Sequence, residues 1–248
     1  MGFRDHFSGT AAGYATFRPR YPDALFSYLA GVAARRGLVW DCGCGTGQAA
    51  TSLARHFARV VATDASVAQV AHAARDPRVA YAVARAEESP LPSGAADLVT
   101  VAQAIHWFDL EAFYAEARRV LAPGGVLAIW MYGDATIDLP AADDFLQRFS
   151  RDAMGPFWPA EREVIHAGAG ALAFPFDEID TPRFDMTQLW TLRHLAGYVR
   201  TWSATARYVA ARREDPVVRL ERALGAVWGD PATPRRVRWP LSLRVGRV

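Results

Sequence analysis

Val39-Trp40-Asp41-Cys42-Gly43-Cys44-Gly45-Thr46-Gly47 is the stretch on which the fold turns. Residues 38–42 read as a buried strand, 43–47 as a tight glycine turn, and 48–57 as a helix. Glycines at such a junction let the backbone approach a ligand closely, and the helix behind them offers N–H groups with no helical partner. The next strand, 59–64, ends in Asp64, 23 residues after Asp41. A carboxylate there can take both hydroxyls of a ribose.

The same alternation runs outward in both directions. Upstream, Pro22 opens a helix over 23–35, with Gly37 past its end. Downstream come a helix over 66–75, strands over 79–84 and 96–101, a helix over 110–121, and a strand over 125–130 after Pro123-Gly124-Gly125. Strand and helix alternating at short intervals through 38–131 predict a parallel sheet covered on both faces. After Gly133 the pattern loosens. Residues 138–172 read as irregular helices, 174–186 as a long strand broken at Pro182, and 188–213 as one helix. The stretch 237–245 alternates apolar and mostly polar residues, as a strand with one buried face does. Pro240 within it argues for an edge or a bulge.

Composition narrows the chemistry. The chain has 248 residues, half of them hydrophobic, which suits one large globular domain. All 28 basic residues are arginine, so no lysine is present for a Schiff base or a P-loop. A net charge of +2 gives no sign of a nucleic-acid partner. No apolar run is long enough to span a bilayer, and the first ten residues lack a signal-peptide pattern, so neither membrane association nor export is expected. Cys42 and Cys44 are badly spaced for a disulfide and too few for a zinc site, which fits a reducing cytoplasm. The six histidines form no metal-ligand pattern, so no metal is expected.

Two ligands compete for the loop. A dinucleotide fingerprint needs glycine at position 48, where Gln48 stands; the third glycine is Gly47. Asp41 places an anion ahead of the first glycine, which disfavours a pyrophosphate. It suits S-adenosylmethionine, which has a sulfonium, an ammonium and a ribose but no phosphate.

VWDCGCGTG, VVATD, ARAEESPLPSGAADLVTVAQAIHWFD and RVLAPGGVLAIW together resemble the class I S-adenosylmethionine-dependent methyltransferases. DHFSGTAAGYATFRPRYP at the N-terminus and VRWPLSLRVGR near the C-terminus are similar to the small-molecule branch of trans-aconitate methyltransferase-like proteins. The resemblance implies an α/β Rossmann-like fold: a seven-stranded mixed sheet, its last strand antiparallel, with helices on both faces and a helical cap. The chain then divides into an N-terminal lid (1–22), a donor-binding core (38–131), cap helices with a sixth strand (133–234) and a final strand (235–248). It also implies that Asp41, Gly43, Gly45 and Gly47 hold the methionine portion of the donor, and Asp64 the ribose. Ala65, Ala86 and Glu87 border the adenine, and Gln103 contacts the amino end. The family's usual acidic residue is Arg85 here, so either Glu87 or backbone groups read the adenine.

For the acceptor, the expectation is a small molecule methylated at oxygen by in-line displacement, with a carboxylate as the candidate group. Alignment supplies much of such catalysis, and a carboxylate or phenolate needs no base. His106 is the candidate base, or else an orienting histidine. Trp107 is a candidate pocket wall or a core tryptophan. Tyr14 and Arg18 belong to the lid, where Arg18 can clamp a carboxylate of donor or acceptor. Tyr132, Trp202 and Arg207 are further candidates for the acceptor pocket. A nucleic-acid methyltransferase is opposed by Ala102-Gln103-Ala104-Ile105, where an Asn/Asp-Pro-Pro-aromatic motif would stand. A non-catalytic donor-binding protein remains an alternative. The assembly is expected to be a monomer or a homodimer.

Overall fold

The apolar runs around the glycine loop become five parallel strands in a computed structural model that describes residues 16–159 and 162–248. They are β1 (Leu38–Cys42), β2 (Arg59–Asp64), β3 (Val79–Val83), β4 (Ala96–Ala102) and β5 (Leu121–Tyr132), in the order β3-β2-β1-β4-β5. Strands buried on both faces need apolar side chains in both directions, which explains the continuous runs. Alternation then sorts them. Val39, Leu98, Val126 and Ala128 meet Leu25, Phe26 and Leu29 of α1 (Asp23–Val32) and Leu53 of α2 (Gln48–Leu53). After α3 (Val67–Ala71), the opposite face is covered by α4 (Leu110–Val120). There Trp40, Val99, Leu127 and Ile129 meet Phe113, Ala117 and Val120. Asp109 starts α4 by accepting the Ala112 N–H at 3.3 Å, and Arg118 and Arg119 lie in its last turn, favourably for the helix dipole.

The described residues hold nine strands, not seven. The difference lies in the final strand, β9 (Arg235–Arg247), preceded by β6 (Thr136–Ile137), β7 (Asp177–Ile179) and β8 (Asp185–Trp190). Leu241 to Arg247 run antiparallel to β5, and β7 pairs with the end of that segment, which extends the main sheet. Residues 235–240 run on beyond the last β5 pair, Tyr132 with Leu241, and carry β6 and β8. Pro240 stands at this handover. Its carbonyl accepts the Gly133 N–H at 3.0 Å, and its missing N–H falls where β9 leaves β5.

The expected strand over 174–186 is therefore two short strands. The expected helix over 188–213 is the end of β8 followed by α7 (Leu192–Arg200) and α8 (Ser203–Arg212). Met186 and Trp190 are buried by a two-residue period against β9, and Thr191 caps α7 through the His194 N–H at 3.3 Å. With α5 (Pro140–Arg148), α6 (Arg162–Ala167) and α9 (Val217–Trp228), these helices form a cap. It has its own core, which includes Trp190, Trp202, Trp228 and Trp239. Among the described residues no helix is long and apolar enough to cross a membrane.

Candidate active site

The loop after β1 is built by steric exclusion. Gly43, Gly45 and Gly47 have φ of 69°, 54° and 83°, values L side chains rarely adopt. A Cβ on Gly43 would lie 2.5 Å from that of Ala104, and one on Gly47 would strike the Tyr81 ring. At Gly45 the nearest atom to a Cβ would be Gln69 Oε1 at 3.9 Å, so that face of the loop is open. Gly43 and Cys44 donate their N–H groups to Thr63 O at 2.8 and 2.9 Å, tying the loop to the end of β2. Two substitutions separate structure from binding. Gly43→Ala should cost about 1–3 kcal/mol in urea unfolding, combining strain with a clash. Gly45→Ala should cost about 1 kcal/mol, from its backbone conformation alone, but weaken the ligand more.

The electrostatics of the loop favour a cationic ligand. Asp41 is fully buried. Thr100 donates its hydroxyl to Asp41 Oδ1 at 2.8 Å, while Oδ2 has no hydrogen-bond partner. Burial pushes this carboxyl up to about 7, against the Thr100 hydrogen bond, and Asp64 adds to the rise. Gln69 Oε1 is a second buried acceptor without a partner, at the open face of the loop. Nothing in the sequence singled out Gln69, the one polar residue of α3. Asp64 accepts the Gly45 and Ser66 N–H groups, each at 2.8 Å, one on each carboxylate oxygen. Burial also holds the Cys42 and Cys44 thiols above their ordinary range, so neither is poised as a nucleophile.

Beside Asp64, Ala65 is half-buried and precedes Ser66, which caps α3. Ala86 is buried. Glu87 is held by Arg85 Nε at 3.1 Å and by the Asp109 N–H at 3.0 Å. Arg85 is thus paired with the neighbouring carboxylate.

A cavity of 110 Å³ opens between the ends of β4 and β5 and the cap. Arg18, Gln103, His106, Trp107, Tyr132 and Trp202 all line it. Gln103 has φ 55°, and its side-chain amide bonds the Tyr132 backbone twice, donating to the carbonyl at 3.1 Å and accepting the N–H at 3.2 Å. It therefore locks the ends of β4 and β5 together as well as facing the cavity. Arg18 donates to Tyr132 Oη at 2.9 Å and to Thr201 O at 3.0 Å. His106 and Trp107 lie on one 3-10 turn with ring centroids 4.7 Å apart. Trp202 is both a cavity wall and a member of the cap core.

Arg207 does not line this cavity. Trp202 and Ser203 face it at the start of α8, and Arg207 lies a full helical turn, about 6 Å, beyond Ser203 along the helix axis. Tyr14 lies outside the described residues. Asp134, Trp158, Arg162 and Tyr198 line the cavity and were not singled out from the sequence. Arg162 forms an ion pair with Asp134, and its guanidinium carbon lies 3.2 Å from the Trp158 ring centroid. Burial pushes the Arg162 pKa below its usual range.

A mainly parallel sheet with a glycine loop at its C-terminal edge, and a cavity under a cap, define a Rossmann-like α/β fold. The methyltransferase-domain family matches residues 40–129. A Dictyostelium discoideum protein named as a methyltransferase is 32% identical over 225 residues, covering 90% of this chain and 86% of its own. A solved structure from Anaeromyxobacter dehalogenans, described as a type II methyltransferase, is 45% identical with a TM-score of 0.84. It spans 93% of this chain and 98% of that one. A Saccharomyces cerevisiae protein, 26% identical over 83% of this chain and 82% of its own, is named as S-adenosylmethionine-dependent. The chain belongs to the S-adenosylmethionine-dependent methyltransferases. The loop fits such a donor: Asp41 Oδ2 and Gln69 Oε1 are buried acceptors without a hydrogen-bond partner, groups that a cationic ligand can satisfy.

Proposed function

We propose that the acceptor is a small carboxylic acid, methylated at a carboxylate oxygen. One observation carries this reading: Arg18 and Arg162 line a single cavity in which Asp134 is the one acidic residue among the described walls. Burying cations is costly, and an entering carboxylate offsets part of that cost by charge-assisted hydrogen bonds. When bound, the donor supplies a methyl group activated by its sulfonium. The side chains then have to position the acceptor, exclude water and hold its charge. Asp41, the three loop glycines, Asp64, Ala65, Ala86, Glu87 and Gln103 are proposed to hold the donor. Trp107, Tyr132 and Trp202 are proposed to face the acceptor.

The stretch 1–22 is proposed as a lid. Its described end is seated between core and cap: Phe17 packs on Gly197, and Gln48 Nε2 donates to Pro19 O at 2.7 Å. Hydrogen exchange over 5–20 should slow when donor is added; unchanged exchange would make this segment scaffold.

The test is the chemistry of the product. Radiolabelled donor and a panel of carboxylic acids should give a product that releases volatile methanol in mild alkali. A product stable to alkali would contradict ester formation. In this reading His106 orients rather than deprotonates. His106→Gln should therefore lower kcat by less than about tenfold, whereas loss of a general base typically costs ~10²–10⁴-fold.

A further inference from the structure

We infer that the acceptor is a flat, conjugated acid about one ring in size, such as an arenecarboxylate, rather than a saturated aliphatic acid. This deepens the carboxylate reading and rests on it. Much of the cavity wall is aromatic: the half-buried Trp107 and Trp158, with the buried Trp202, Tyr132 and Tyr198. Trp158 and Trp202 lie 5.2 Å apart at 43°, and Tyr198 stands at 90° to Trp202 with centroids 5.8 Å apart. Hydrogen bonds hold two of these rings in place. Trp158 Nε1 donates to Ser150 O at 3.1 Å, and Arg18 donates to Tyr132 Oη. The walls are thus pre-formed and need little ordering when a ligand enters.

Size and charge narrow the ligand further. The 110 Å³ volume is below the ~150 Å³ of an enclosed protein cavity known to take up benzene, but this cavity is open on one side, so one ring is the upper size it suits. Arg162 places a planar cation against the Trp158 ring at the wall of this space. In a conjugated acid the carboxylate is coplanar with the ring. One orientation can then bring the anion to a guanidinium edge and the ring to an aromatic wall. A saturated ring of the same carbon count is thicker and has no π face to offer.

The test compares matched probes on the full chain with the demethylated donor present. Benzoate, cyclohexanecarboxylate and benzamide are titrated by ligand-observed NMR, and methylation of the two acids is measured alongside. Benzoate should bind about two- to tenfold tighter than cyclohexanecarboxylate, the range of an added aromatic contact, and be the better substrate by a similar ratio. Trp107→Leu should bring that ratio towards one. Equal or tighter binding of the saturated acid overturns this inference and leaves the carboxylate reading standing. Benzamide binding as well as benzoate overturns the carboxylate reading instead, because charge would then carry no weight. Binding of none of the three also overturns the inference.

Discussion

Asp64→Ala is expected to raise the dissociation constant for the methyl donor by about ten- to over a hundredfold while the protein stays folded. Charge-assisted hydrogen bonds are each worth roughly 1.5–3 kcal/mol, and in the proposed donor site this carboxylate accepts two from a ribose. The structure adds a second source of loss. Each oxygen of Asp64 also accepts a backbone N–H, from Gly45 and from Ser66, so the same side chain fixes the loop and the start of α3. Asp64→Asn separates the two effects. It keeps an acceptor oxygen for one backbone N–H, so it should unfold nearer to wild type than the alanine variant, yet still bind the donor weakly. Calorimetry measures the affinity and circular dichroism the fold. An unchanged dissociation constant in the alanine variant would place the ribose elsewhere.

Asp41→Asn is expected to stabilise the ligand-free protein at alkaline pH and to weaken donor binding. The folded carboxyl titrates at about 7, well above its ordinary value, because it is buried. Between about pH 4 and 7 the folded state therefore holds a proton that the unfolded chain has lost. This group's contribution to stability is complete below the unfolded value and is lost as pH rises towards the folded one. Asparagine keeps an acceptor for Thr100 and removes the titration. The stability difference between variant and wild type should then widen by about 3 kcal/mol from pH 5 to pH 8, as an order of magnitude. Donor affinity should show the converse. The wild type should bind more tightly as Asp41 ionises between pH 6 and 8, and the asparagine variant should lose that dependence. Parallel melting curves for the two proteins would show that Asp41 is already ionised throughout this range.

The glycine loop and the carboxylates beside it were legible because they are local in sequence. A strand, a glycine turn and a helix fix Asp41 and the loop, and Asp64 follows at the end of the adjacent strand. Each signal is a hydrophobic period or a backbone requirement confined to a few residues. The cavity proposed for the acceptor is not local. Asp134 follows β5, Trp158 and Arg162 come from the cap, and Tyr198 lies on α7. No periodicity links them; the packing of the cap on the sheet edge brings them together. The cap also hid its own secondary structure. Residues 188–213 read as one helix, yet Trp190 is buried by the two-residue period of β8 against β9. The extra strands escaped for a related reason: β9 runs past β5, and Pro240 marked the handover without revealing what pairs beyond it.

The most direct test is a crystal structure of this chain with the demethylated donor and a small carboxylic acid bound. The predicted result has the ribose on Asp64, the ammonium facing Asp41, and the donor sulfur directed into the cavity lined by His106, Trp107 and Arg162. A carboxylate oxygen should stand in line with that sulfur. A donor whose sulfur points away from this cavity, or an acid bound outside it, would contradict the account.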